Sequence, residues 1–279
     1  MFEVICHSAL DAESKIKEKN MESIQLKIKN NIAYITLNRP EVFNSFNREM
    51  ALNLQQVFDD CESNSEVRAI VLTGNGKAFC AGQDLKEVTS PELNPGFKKI
   101  LEEHYNPIIT RIRNIKKPII GAINGVAAGA GANIALACDI VVAHEKVSFI
   151  QAFSLIGLIP DSAGTFFLPR LIGFQKASAL AMLGDKVSAD EAEKMGMIYK
   201  VLPLESFEED VNKLALKLAN MPTLALGKIK EAFNQSLTNN LEEQLALESK
   251  LQIEAAQTED YEEGVSAFVE KRKPTFKGK

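Results

Sequence analysis

Ile119-Ile120-Gly121-Ala122-Ile123-Asn124-Gly125-Val126-Ala127-Ala128-Gly129-Ala130-Gly131-Ala132-Asn133-Ile134 is the stretch that decides the fold. Its first five residues are an apolar run of strand length, its glycines supply a tight turn, and positions 132–137 continue as an apolar helix. Ile140-Val141-Val142-Ala143 reads as the next strand. No charged residue occurs from position 118 to 138, and Gly121, Gly125 and Gly129 have the small-xxx-small spacing of paired membrane helices. The four glycines, two asparagines and one proline of that segment oppose a spanning helix, and no aromatic belt flanks it. A buried strand, a tight loop and a packed helix explain it better.

The pattern continues on both sides. Gln25-Leu26-Lys27-Ile28 alternates, Asn30-Asn31 turns, and Ile32-Ala33-Tyr34-Ile35-Thr36-Leu37 returns as a strand. Positions 46–61 read as a helix with Met50, Leu54, Val57 and Phe58 on one face. Ala69-Ile70-Val71-Leu72-Thr73 is a buried strand ending at Gly74. Strands alternating with helices place the chain in the α/β class. Beyond Asp185, Ser188 and Glu191 form a capping box. Val211, Leu214, Ala215 and Leu218 then form a helical stripe that stops at Met221-Pro222. The remainder is rich in helix formers, and Leu241, Leu245 and Leu251 suit either a subunit interface or packing within the chain. The expected divisions are a loosely attached extension at 1–20, a core at 21–221 and a helical region at 222–279.

The 279 residues are 46% hydrophobic and 25% charged, ordinary for a globular protein. Cys6, Cys61, Cys80 and Cys138 form no Cys-x-x-Cys pair, and no secretory signal precedes them, so free thiols in a reducing cytoplasm are expected. His7, His104 and His144 lack metal-ligand spacing, so no metal is expected; His144 falls in a polar run read as a turn. A net charge of −5 gives no reason to expect a nucleic acid partner.

The glycine-rich loops match neither common nucleotide motif. Gly129-Ala130-Gly131-Ala132-Asn133-Ile134 has Ile134 where a dinucleotide fingerprint needs its third glycine, and Gly74-Asn75-Gly76-Lys77 lacks the spacing of a P-loop. Both follow a buried strand and lead into a helix of small residues, a geometry that turns free backbone N–H groups into a cleft. Two such loops facing one another suit a carbonyl oxygen that becomes negative during reaction. Close helix–strand packing is the simpler role for the same glycines.

Asn38-Arg39-Pro40, Phe79-Cys80-Ala81-Gly82-Gln83-Asp84-Leu85, positions 124–131, Cys138-Asp139-Ile140, positions 157–165 and Phe268-Val269-Glu270-Lys271-Arg272 together resemble the enoyl-CoA hydratase/isomerase (crotonase) family from about residue 25 onward. The resemblance implies a spiral of ββα units with C-terminal helices that assemble trimers or pairs of trimers. It implies an acyl-CoA substrate, with coenzyme A carried by the substrate and no further cofactor. The family's oxyanion-hole donors fall on the backbone N–H groups of Gln83 and Ala130. Its coenzyme A contacts fall on Val42, Phe43, Ala81, Asp84, Leu85 and Lys86, and on Phe268 and Lys271, which in the family often act across a subunit boundary.

The two glutamates of the family's hydratases fall on Asn133 and Phe153, neither of which exchanges a proton near neutral pH. A carboxylate stands instead at Asp161, where several isomerases of the family carry aspartate. By that resemblance Asp161 is the acid/base of a double-bond shift, in apolar surroundings suggested by Phe149, Phe153, Phe166 and Phe167. Taken alone, an aspartate after a proline is more often a turn residue. Further short matches, such as Ala152-Phe153-Ser154 and Gly196-Met197-Ile198, resemble a branch of the family that isomerises ring-epoxide thioesters. The alternatives are a hydratase using Asp161, a dehalogenase-like enzyme, and a non-catalytic acyl-CoA-binding or RNA-associated member of the fold.

Overall fold

A computed structural model describes residues 17–279. The strands are β1 (Lys17–Asn20), β2 (Ile24–Lys29), β3 (Ile32–Leu37), β4 (Ala69–Gly74), β5 (Ala78–Cys80), β6 (Ile119–Ile123), β7 (Val126–Ala128), β8 (Ile140–His144), β9 (Ser148–Ile150), β10 (Lys186–Ser188) and β11 (Lys200–Leu202). They form one seven-stranded sheet, ordered β1-β2-β3-β4-β6-β8-β11, and one four-stranded sheet, ordered β10-β9-β7-β5. The chain winds as a spiral. Each turn lays one strand in the large sheet (β4, β6, β8), the next in the small sheet (β5, β7, β9), and then a helical segment. Neighbours within both series run parallel.

The Asn30-Asn31 turn has φ of 53° and 61°, the left-handed pair of a two-residue hairpin, and it sets the β2–β3 register Lys29↔Ile32. The corners between sheets are crowded. A methyl group on Gly74 would lie 2.3 Å from Ala78 O, and one on Gly125 would lie 2.2 Å from Lys77 O. Asparagines tie successive corners together. Asn44 Nδ2 donates to Asn75 O and Ala78 O, Gly74 N donates to Asn124 Oδ1, and Asn124 Nδ2 donates to Gly76 O. These bonds satisfy backbone groups that leave the ladder at each corner, so the loops that follow start from fixed points.

One core lies between the sheets and takes Met50, Leu54, Val57 and Phe58 from the Arg48–Ser63 helix. A second, on the outer face of the large sheet, is closed by Phe207, Val211, Ala215 and Ala219 of the Phe207–Ala219 helix. Helices Thr223–Ser236, Leu241–Ala255 and Glu259–Val269 complete the chain. Leu251 is buried within it, whereas Leu241 and Leu245 are exposed. The Ser188–Glu191 capping box is present.

The structure adds detail to three expectations. The extension placed at 1–20 lies outside the described residues as far as 16, and its last four residues pair antiparallel with β2 as β1. The helix expected from position 46 starts at Arg48, because Asn47 caps it and Phe46 forms a bridge to Gln83 instead. His144 opens the expected turn, its carbonyl accepting from Val147 N at 3.0 Å. It also ends β8, buried, with its ring nitrogen Nε2 2.9 Å from Asn124 O and its ring perpendicular to that of Phe207.

Candidate active site

The first glycine-rich loop leaves β5 at Cys80. Phe46 N donates to Gly82 O at 2.7 Å, and Asp84 N donates to Phe46 O at 2.8 Å. This parallel bridge uses the residues on either side of Gln83, so the N–H of Gln83 points the other way and has no partner among the described residues. The second loop leaves β7 through Gly129, whose φ of 54° and ψ of −129° suit glycine alone, and Ala130 begins the Ala130–Leu136 helix. A first-turn N–H has no acceptor within its own helix, and that of Ala130 has none elsewhere among the described residues.

The two loops touch. A methyl group on Gly82 would lie 3.0 Å from Ala128 O and 3.6 Å from Ala130 N, and one on Gly131 would lie 2.5 Å from Cys80 O. The glycines thus let one backbone pack on the other, which brings the Gln83 and Ala130 loops together.

Behind the first loop stands a part-buried network that sequence reading missed. Tyr105 Oη donates to Gln83 Oε1 at 2.8 Å, Gln83 Nε2 donates to Glu87 Oε2 at 2.7 Å, and Arg48 N donates to Glu87 Oε1 at 2.7 Å. Tyr105 ends a π-helical stretch, Ile100–Tyr105, a local distortion that is frequent at functional sites. Burial pushes its hydroxyl well above the usual tyrosine range, and the charges of Cys80 and Asp161 add to the push. No period or motif in the sequence marks a π-turn.

Asp161 stands half-buried at the entry to the Gly164–Ile172 helix. Burial raises its carboxyl above the ordinary carboxylate value, partly offset by Ser162 Oγ, which donates to Asp161 Oδ1 at 2.8 Å. The two residues that follow, Ser162 and Ala163, have φ of 50° and 59°. Asn133 Nδ2 donates to Asp161 O, and Gln151 Nε2 donates to Asn133 Oδ1, both at 2.8 Å. Asp161 is therefore tied to the helix whose first residue is Ala130. Phe153 lies over the second loop, its ring 3.8 Å from where a side chain on Gly129 would begin. Phe149 is fully buried. Phe166 and Phe167 pack edge to face, and Arg170 and Arg113 stack on them respectively.

The other candidate binding residues fall in two places. Ala81 N donates to Phe43 O at 3.0 Å, which sets the Val42-Phe43 corner beside the first loop. Phe43, Ala81, Leu85 and Lys86 are exposed along this strip. Asp84 faces inward: it caps the Leu85–Thr89 helix through Lys86 N and pairs with Arg39 at 2.8 Å. Phe268 and Lys271 lie at the end of the Glu259–Val269 helix, and Phe268 is 85% exposed. The tail beyond them is anchored on Arg68, which donates to Phe276 O at the start of β4, the end of the sheet remote from Gly74. Within one chain no hydrogen bond or ion pair among the described residues joins them to the loops. Among those residues no group of three or more His, Cys, Asp or Glu could hold a metal ion.

The profile of the enoyl-CoA hydratase/isomerase family matches residues 27–279. The 1,2-epoxyphenylacetyl-CoA isomerase of Escherichia coli (strain K12) is 45% identical over 93% of this chain and 100% of its own length. A probable enoyl-CoA hydratase of Rhodobacter capsulatus is 44% identical over 92% of this chain and 98% of its own. The crystal structure of a putative enoyl-CoA hydratase/isomerase from Mycobacterium abscessus superposes with a TM-score of 0.85 at 34% identity, over 95% of this chain and 100% of that one. A spiral of ββα turns, two abutting glycine-rich loops and this likeness over nearly the whole chain have one explanation: the protein is an enzyme of the enoyl-CoA hydratase/isomerase (crotonase) family.

Proposed function

We propose that the enzyme is an acyl-CoA isomerase in which Asp161 moves the proton. The observation that carries this reading is the half-buried Asp161, whose backbone carbonyl Asn133 ties to the Ala130 helix while its carboxyl, its pKa raised by burial, accepts from Ser162 Oγ. Asp161 removes a proton from the carbon next to the thioester carbonyl, and the electron pair moves onto the carbonyl oxygen. The N–H groups of Gln83 and Ala130 hold that oxygen, each contributing about 2.7–4 kcal/mol. The same carboxyl returns the proton two carbons away, and a β,γ double bond becomes an α,β one. Nothing enters or leaves, so the reading calls for no cofactor beyond the coenzyme A of the substrate.

The relative from Escherichia coli and the apolar wall at Phe153 support a ring 1,2-epoxyphenylacetyl-CoA as the substrate. The exposed strip of Phe43, Ala81, Leu85 and Lys86 is the seat we assign to coenzyme A, with Val42 beside it and Asp84 holding the turn. Exposed Phe233, Leu241, Ile253 and Phe268 support a trimer, or a pair of trimers, in which Phe268 and Lys271 reach a neighbour's site. Buried free Cys61, Cys80 and Cys138 suit a cytoplasmic location, and among the described residues no helix is long and apolar enough to cross a membrane.

Incubation with a panel of 3-enoyl-CoA and epoxyphenylacetyl-CoA thioesters in deuterated water, read by mass spectrometry, tests the reading. Conversion with deuterium at the α and γ carbons is expected, and Asp161→Asn should abolish it while ligand binding survives. Turnover retained by Asp161→Asn would sink the assignment. Rapid addition of water to crotonyl-CoA would instead favour a hydratase, against which Asn133 and Phe153 stand.

A further inference from the structure

Asn133 and Gln151 are among the most buried polar side chains of the protein, at 1% and 2% exposure. Their amide orientations follow from one fixed point. Asp161 O only accepts, so the Asn133 amino group faces it and the Asn133 oxygen faces the amino group of Gln151. Gln151 Oε1 is left without a partner, so this amide serves Asn133 alone.

The segment that Asn133 holds is strained. Ser162 and Ala163 are consecutive left-handed residues, neither of them glycine, and such a pair persists only where its surroundings hold it. Gly164 completes the fit, because a methyl group there would lie 2.3 Å from Asn133 Nδ2. Asn133 and Ala130 share one helix, three residues apart, so a single rigid turn carries both the backbone N–H and the anchor of Asp161.

We propose that Asn133, aligned by Gln151, is a positioning residue that sets the Asp161 carboxylate relative to the Gln83 and Ala130 N–H groups. The proposal rests on the reading of Asp161 as acid/base. Position 133, a glutamate in the family's hydratases, here holds the base instead of acting as one.

The test compares full-length Asn133→Ala, Gln151→Leu and their double variant with Asp161→Asn, using a 3-enoyl-CoA thioester. Asn133→Ala should lower kcat by up to about 100-fold, since a displacement of about 1 Å has that effect, and should displace the acidic limb of the pH profile. KM should stay within about threefold, because the thioester contacts are untouched. Gln151→Leu should act in the same direction, and the double variant should lose little more than Asn133→Ala, as expected of links in one chain. Should Asn133→Ala fail to fold, Gln151→Leu decides, because it leaves Asn133 in place. Normal kcat and an unmoved pH profile in the folded variants, with Asp161→Asn inactive, would overturn the proposal alone. Activity in Asp161→Asn would overturn the acid/base assignment instead.

Discussion

Tyr105 and Gln83 meet through a part-buried hydrogen bond of 2.8 Å, the tyrosine hydroxyl donating to the amide oxygen. The other end of the same amide donates to Glu87. Gln83 thus has its side chain held at both ends, while its backbone is framed by the Phe46 bridge. Tyr105→Phe removes the donor to the half-buried Gln83 Oε1, at a cost of roughly 0.5–1.5 kcal/mol in folding stability. On the proposed role of the Gln83 N–H as an oxyanion donor, turnover should fall with little change in KM, because such a contact acts on the transition state more than on bound substrate. Urea unfolding and steady-state kinetics read the two effects. An unchanged kcat would mean that the Phe46 bridge alone fixes the N–H.

Contact between the two loops makes a second demand. A methyl group at Gly131 would lie 2.5 Å from Cys80 O and 2.7 Å from Cys80 Sγ, so Gly131→Ala has to push the loops apart. Overpacking of this kind costs about 1–3 kcal/mol. Catalysis should suffer more than stability, since Ala130 is the adjacent residue. Gly264→Ala is the control: it lies in a helix, its added methyl would meet only the Phe276 ring at 3.5 Å, and it should gain about 0.4–1 kcal/mol. Equal activity in the two variants would count against the abutting loops.

The sequence made the strands β3, β4 and β6 legible because each is a run of apolar residues with a turn at its end. Gln83, Ala130 and Asp161 were singled out by the family resemblance of the segments around them, not by period or composition. What lay beyond the sequence was set by contacts between distant positions. Phe46 has helical neighbours and ends in a bridge to a residue 37 positions on, and Tyr105 reaches Gln83 only through a π-turn. His144 looked polar in its local run, yet its partners Asn124 and Phe207 lie 20 and 63 positions away. Asp84, a candidate contact for the ligand, is engaged by Arg39 from 45 positions earlier.

Lys117 separates stability from chemistry. Its ammonium group donates to Cys61 O at 2.6 Å, Glu62 O at 3.0 Å and Asn64 O at 2.8 Å, closing the C-terminal end of the Arg48–Ser63 helix. Helix ends of this polarity favour a cation, and their last carbonyls have no partner in the helix itself. Lys117→Met keeps the apolar stem and removes the donor, so a loss of roughly 1.5–3 kcal/mol is expected. Folded Lys117→Met should turn over substrate as the wild type does. A drop in kcat without a drop in stability would contradict this division.

Asp161 sets activity and stability against one another through pH. Burial raises its carboxyl above the ordinary value of 3.8, and Ser162 only partly reverses that. In the proposed role of base it works deprotonated, so kcat/KM should rise with pH along a limb displaced upward from the ordinary carboxylate range. Stability runs the other way. A carboxyl whose folded pKa exceeds its unfolded pKa stabilises the fold below the unfolded value and loses that contribution as pH rises through the folded value. The ionised group is therefore a burden near neutrality. Asp161→Asn keeps the shape, can still accept from Ser162 Oγ, and carries no charge. It should unfold at higher urea than the wild type at about pH 7, with the difference closing by about pH 4. An inactive variant that is more stable at neutral pH than its parent is the expected result. A variant less stable at pH 7 than at pH 4, relative to wild type, would reverse the sign and remove burial as the cause of the shift.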